Sequence, residues 1–308
     1  MERDQKQVHM GNENNLTEKG NWYDRNYKIL LILPALMVVF SIIYMYNFYQ
    51  NNGDIINKDV SLTGGTSISV FDEKISADEL EKELKKEFPD INTRAISDIR
   101  TGKQHGIYME TKGEAEKVKA ALENYLGYKL TNENSSVEFS GSSLSEGFYK
   151  QLRIAIIIAF VLMAIVVFFI FRTFVPSSAV IIAAFADILM TLVVVNMMGM
   201  QISSAGIVAF LMLIGYSVDT DILLTTRLLK GHEGSLNERI FGAFKTGMTM
   251  TLTAIAAVGV SLIVIYSFSD VLRSMFIIVL IGLGFDIFNT WITNASILKW
   301  YVEAKKLR

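Results

Sequence analysis

The sequence contains no cysteine. Disulfides, thiolate metal sites and cysteine nucleophiles are therefore excluded. Charge of one sign is also missing: the formal net charge is −2 at pH 7, so no global basic field exists to attract nucleic acid. No GxxxxGK[ST] phosphate loop occurs in the chain, so the protein is not expected to burn ATP itself. No metal cluster or nucleophile–base pair stands out in the polar stretch over 50–150, and no cofactor and no enzymatic activity are expected. Charged residues make up only 19% of the 308 residues against 51% hydrophobic. Such a chain is too apolar to be fibrous or wholly disordered.

The mean hydropathy of +0.34 hides two populations. Residues 50–150 are as polar as a soluble domain, and most of the remainder is apolar. Six apolar stretches read as membrane spans, since about 20 residues of helix cross the hydrocarbon. They are Ile29–Tyr49, Ile154–Phe171, and roughly 176–198, 200–224, 244–268 and 274–298. The first is too long for the apolar part of a signal peptide and lacks a small-x-small cleavage site. The predicted organisation is a polar tail over 1–27, a first span over 28–49 and a polar domain over 50–150. Spans two to six follow over 151–299, and a basic end over 300–308.

Lysine and arginine in the short loops set the orientation. Arg3, Lys6, Lys19, Arg25 and Lys28 precede span one, and Arg172 lies between spans two and three. Arg227, Lys230 and Arg239 lie between spans four and five, and Lys299, Lys305, Lys306 and Arg308 close the chain. The short loops of the other side carry only Arg273, with none in Gly199–Ser203. Both termini are therefore expected in the cytoplasm and the polar domain outside. Within that domain, Thr66–Phe71, Thr93–Arg100, Gly106–Thr111 and Ser136–Ser140 read as strands. Ser76–Phe88 and Gly113–Tyr125 read as helices, the first with Ser76 and Glu79 as a capping box. This β-α-β-β-α-β order is the ferredoxin-like pattern, which hosts many functions and names none. His105 reads as a solvated turn residue, and residues 1–20 as a disordered tether.

Five ionisable residues fall inside the apolar spans: Asp187, Asp219, Asp221, Lys245 and Asp286. A charge at the bilayer centre costs at least about 2.5–3.5 kcal/mol on insertion scales, so such residues are rare and usually functional. The plain alternative for Asp219, Asp221 and Lys245 is snorkelling to the cytoplasmic interface. Depth argues otherwise: Asp219 precedes Arg227 by eight residues, about 12 Å of helix. Lys245 follows Arg239 by six, about 9 Å. Lys245 can then meet Asp219 or Asp221 at similar depth on adjacent helices. Asp286 lies thirteen residues from Lys299, and Asp187 eleven after Pro176, placing them about 20 Å and about 16 Å in. Their plain alternative is a protonated carboxyl gluing helices together.

Polar residues line up with these charges. Lys245, Thr249 and Thr253 form one stripe, and Ser217, Asp221 and Thr225 another. Asp286, Asn289, Thr290, Thr293 and Asn294 form a third. Asp219 and Asp221 stand about 200° apart around their helix, so both cannot face one partner. Four carboxylates against one lysine would place −3 in low dielectric if all were ionised, so protons are expected on some of them. A carboxyl that is protonated in one state and paired in another is a proton carrier.

Several stretches carry a family resemblance: YDRNYKILLILP, VSLTGGTSISV, GYSVDTDILLTTRLLK, AFKTGMTMTLTAIAA and DIFNTWITNASILKWY. Over about residues 22–302 the chain resembles SecF, the smaller half of the SecD–SecF pair of protein-export membrane proteins, in its archaeal form. The resemblance implies half of a twelve-span bundle related to the proton-driven RND exporters. It also implies a non-enzymatic cell-membrane subunit that acts with SecD and the SecY channel on emerging unfolded polypeptides. The implied drive is the proton motive force. The family's relay acid follows GYS; here Thr220 takes the simplest aligned position between Asp219 and Asp221, and either aspartate can fill the role. The family's cation in span five aligns with Lys245, and Arg227 resembles its arginine at the cytoplasmic end. The expected proton relay is Asp219, Asp221, Lys245, Asp187 and Asp286. Half of an RND-type small-molecule or lipid exporter, and a proton-independent membrane chaperone or scaffold, are the alternative readings.

Overall fold

The computed structural model describes residues 22–97, 103–231, 234–266 and 269–305. The expected disordered tether over 1–20 lies outside them, as does the end of the expected strand Thr93–Arg100. The chain opens with α1 (Trp22–Leu30) and α2 (Ile32–Asn52), which stops where Gly53 enters the left-handed region at φ 73°. A short α3 (Val60–Thr63) leads into β1 (Gly65–Val70), α4 (Ala77–Leu84), β2 (Asn92–Ser97), β3 (Gln104–Thr111), α5 (Ala115–Leu126) and β4 (Ser135–Ser140). Then come α6 (Ser142–Phe171), α7 (Phe174–Met197), α8 (Ser204–Lys230), α9 (Leu236–Ile265) and α10 (Asp270–Phe288). A π-helical turn, Asn289–Asn294, joins α10 to α11 (Ala295–Ala304).

The protein is a polytopic helical membrane protein: six helical segments are long and apolar enough to cross a bilayer. A sheet domain is inserted between the first and second. Its strands run in the order β2-β3-β1-β4, with β1 antiparallel to both neighbours. Alternation sorts the side chains. Ile68, Val70, Ile107 and Met109 face α4 and α5, where Leu80, Leu84, Val118 and Leu122 complete a core. Ser67, Arg94, Tyr108 and Glu110 occupy the opposite face, which is polar. Ser76 caps α4 by accepting from the Glu79 amide, but the helix ends at Leu84. Pro89 follows closely, and the residue before a proline is pushed out of the helical region.

The bundle is built around α7 and α8. In each, 56% of the most apolar stretch is buried, against 6% in α9 and 11% in α6. Alanines at 179, 183, 184 and 186 on α7 let neighbouring helices approach closely. Gly282 serves the same end on α10, where a Cβ would lie 2.2 Å from the Leu213 side chain. The segment between α2 and β1 is stitched to the α7–α8 loop: Ile202 N donates to Asn57 O at 2.7 Å, and Asp59 N donates to Ile202 O at 3.2 Å. Asn196 Nδ2 donates to Ile55 O at 2.9 Å, and Ser204 N to Ser61 Oγ at 3.1 Å.

Candidate functional site

The three helices at the centre each carry one aspartate inward. Asp187 on α7, Asp221 on α8 and Asp286 on α10 are all exposed by 2% or less. Buried polar groups need partners, and these carboxyls find theirs mainly in hydroxyls and amides. Ser217 Oγ lies 2.5 Å from Asp187 Oδ2, and Asn289 Nδ2 donates to Asp187 Oδ1 at 2.7 Å. Ser217 also hydrogen-bonds the Asp286 side chain. Thr220 Oγ1 reaches Asp286 Oδ2 at 3.3 Å. Thr290 Oγ1 sits 3.3 Å from Asp286 Oδ1 and 2.9 Å from Asp221 Oδ1. Asn294 Nδ2 donates to Asp221 Oδ1 at 2.7 Å.

These contacts form one continuous chain: Asp187, Ser217, Asp286, Thr290, Asp221. Each carboxyl is separated from the next by a single hydroxyl. A hydroxyl both donates and accepts, so it can take a proton from one carboxyl while passing its own to the next. At the far end Asp221 Oδ2, Thr225 Oγ1 and Asn294 Oδ1 are buried without a hydrogen-bond partner.

The π-helical turn builds half of this site. Its i→i+5 bonding is rare and recurs at functional positions. Here it buries Asn289, Thr290, Trp291, Thr293 and Asn294 within six residues. Gly247 on α9 makes room for it: a Cβ there would lie 2.6 Å from Trp291 Cζ2 and 3.0 Å from Thr220 Cγ2.

Asp219 and Lys245 lie elsewhere. Both are exposed on the outside of the bundle, on α8 and α9. Asp221 turns towards the π-helical turn, so no aspartate lies within ion-pair distance of Lys245 among the described residues. Thr249 and Thr253 share the outward stripe, and their hydroxyls return to carbonyls of their own helix, Lys245 O at 2.8 Å and Thr249 O at 2.6 Å. The Ser217, Asp221 and Thr225 stripe is fully inward. Arg227 donates to Thr246 Oγ1 at 3.0 Å and ties α8 to α9.

Lys299 is the residue that sequence reasoning placed worst. Counted there as a charge of the C-terminal end, it is 1% exposed. Its Nζ donates to Asn237 Oδ1 at 2.8 Å and lies 5.0 Å and 5.5 Å from the ring centres of Tyr23 and Tyr27. Those tyrosines belong to α1, so the cation fastens α1 to α11. The aromatic pair at 23 and 27, one helical turn apart, was the available signal.

Residues 117–304 match the family model described as "Protein export membrane protein SecD/SecF, C-terminal". The chain is 36% identical over 292 residues to the protein-export membrane protein SecF of Methanocaldococcus jannaschii, covering 92% of this chain and 99% of that one. It is 38% identical over 287 residues to that of Methanothermobacter thermautotrophicus, covering 91% and 94%. In fold it is similar to SecDF from Thermus thermophilus, a translocon-associated membrane protein, with a TM-score of 0.73 at 16% identity. That match covers 93% of this chain and 39% of the SecDF chain. SecDF in its super-membrane-facing form gives a TM-score of 0.56 at 17% identity, covering 89% and 38%. The chain thus spans about two fifths of the length of these solved structures.

Proposed function

The chain belongs to the SecD/SecF family of protein-export membrane proteins, and we propose that it is the SecF-side subunit of a SecD-containing complex that uses proton flow to assist export. The observation that carries this reading is the buried series of three carboxyls bridged by single hydroxyls. Structural glue needs one protonated carboxyl at a contact. A connected series across three helices suits proton transfer instead. Asp187, Asp286 and Asp221 carry the proton in this scheme, and Ser217 and Thr290 relay it between them.

Asp219 and Lys245 support a partner. Both are exposed on helices long and apolar enough to cross a bilayer, and an uncompensated charge at the bilayer centre costs at least about 2.5–3.5 kcal/mol. A second bundle laid against α8 and α9 removes that cost by pairing or hydrating them. The solved SecDF chains are long enough to contain such a second bundle beside the region like this one. SecD is the proposed occupant, and the SecY channel with an emerging unfolded polypeptide the proposed working context. In this reading the termini face the cytoplasm and the sheet domain faces outside, following the lysine and arginine bias of the loops. The role is transport and not catalysis.

The test is pulse-chase secretion in cells whose only copy of this protein is wild type or Asp221→Asn, with and without a protonophore, together with co-purification of SecD. The reading expects SecD to be recovered with both proteins. It expects the protonophore to slow secretion in wild type and to change nothing in Asp221→Asn. Failure to recover SecD, or equal protonophore sensitivity in both, would contradict it.

A further inference from the structure

Glu110, in the sheet domain, is nearly inaccessible, at 4% exposure. It stands on β3, on the polar face turned away from α4 and α5, and this face packs against the bundle. Its side chain hydrogen-bonds Gln201 in the α7–α8 loop. Tyr108 Oη approaches Glu110 Oε2 at 3.4 Å from the same strand. Two cavities flank the contact. One, of about 340 Å³, is lined by Asp54, Lys58, Asp90, Glu110, Lys112 and Gln201. The other, of about 170 Å³, is lined by Asp59, Arg94, Gln201 and Arg273, among others. Gln201 lines both and so sits in the joint between domain and bundle.

The charged groups around Glu110 come from every neighbouring element. Arg94 on β2 stacks 4.3 Å over the Tyr108 ring. Asp59 is held as the cap of α3, its Oδ1 accepting from Ser61 N at 2.9 Å. Lys58 pairs with Asp54 at 3.0 Å. Asp90 accepts from the Lys112 amide at 2.6 Å. Arg273, at the head of α10, stacks on Tyr266 at 5.0 Å. Tyr108 is kept neutral by burial and by the carboxylates beside it. The group that opposes ionisation of Glu110 is thus Asp59, on the bundle side of the joint.

We propose that Glu110 is a proton-operated latch between the sheet domain and the membrane bundle. Carrying a proton, it is neutral and stays buried beside Gln201, and the sheet remains seated on the α7–α8 loop. Without it, a buried charge faces Asp59 and the contact loosens. Burial and the Asp59 charge push the Glu110 carboxyl up to about 7, against the hydrogen bond from Gln201, the pull of Arg94 and the hydrogen bond from Tyr108. A raised carboxyl favours the docked state in its protonated form. Its contribution is therefore complete below the usual value of 4.5 and is lost as pH rises through about 7. The latch does not depend on the export reading, because it acts within this chain alone.

The absence of cysteine allows spin labels at two introduced positions, Ala120→Cys on α5 and Met198→Cys at the end of α7. The label–label distance is measured on the full chain in nanodiscs from about pH 5 to about pH 9, a range that brackets the titration. One short distance is expected at low pH, giving way to a longer one with a midpoint near pH 7. Glu110→Gln should hold the short distance throughout, and Asp59→Asn should move the midpoint downward, because removing the Asp59 charge lowers the cost of ionising Glu110. A wild-type distance that ignores pH overturns the proposal whether or not the variants fold. An unchanged transition in Glu110→Gln overturns it equally.

Discussion

The Thr290 hydroxyl lies 2.9 Å from Asp221 Oδ1, and it is the link between that carboxyl and Asp286, 3.3 Å away on the other side. A valine at this position keeps the shape and removes the link. Thr290→Val is expected to slow the proton-coupled step by about 100-fold, the lower end of what a positioned proton donor contributes. Thr290→Ser should restore it, since the hydroxyl returns. Proton uptake into proteoliposomes containing the complex with SecD checks both.

Asp286 should behave as the middle member of the series. Asp286→Asn keeps the hydrogen-bonding size but cannot shuttle a proton. The expected outcome is loss of protonophore-sensitive secretion with normal membrane insertion, read by pulse-chase and by membrane fractionation. Asp219→Asn, outside the series, should leave uptake more active than Asp286→Asn does.

Gly247 tests the packing behind the π-helical turn. Gly247→Ala places a methyl 2.6 Å from Trp291, and overpacking of this kind costs about 1–3 kcal/mol. A lowered melting temperature in detergent is expected, with a matching loss of proton uptake because Thr220 and Trp291 move together.

Lys299 tests the fastening of the first helix. Lys299→Ala removes the charge-assisted hydrogen bond to Asn237, the 3.9 Å ion pair with Glu303 and two ring contacts, about 2–4 kcal/mol together. Faster protease cleavage near α1 is expected, with SecD recovery unchanged.

The six spans and the sheet were legible because their signals are local: long apolar runs for the spans, alternation for the strands. The inward aspartates were legible as charges in apolar surroundings. The π-helical turn was not, since Asn289–Asn294 has the same composition whether its bonds run to the fourth or the fifth residue. The direction in which Asp221 faces was not legible for a related reason. Depth along the chain brought Lys245 level with it, but depth says nothing about which way each helix is rotated. Burial of Glu110 depends on contact with Gln201, distant in sequence, and no local pattern announces it; the burial of Lys299 had only the Tyr23–Tyr27 pair, on a helix at the other end of the chain, as its signal.

The most direct measurement is infrared difference spectroscopy of the complex with SecD in oriented membranes, with and without an imposed proton gradient, and with Asp187, Asp221 and Asp286 each replaced by asparagine to assign the bands. Carboxyl bands are expected to change when the gradient is applied and to disappear one by one with each replacement. Carboxyl bands that ignore the gradient, or that survive all three replacements unchanged, would contradict the proton relay.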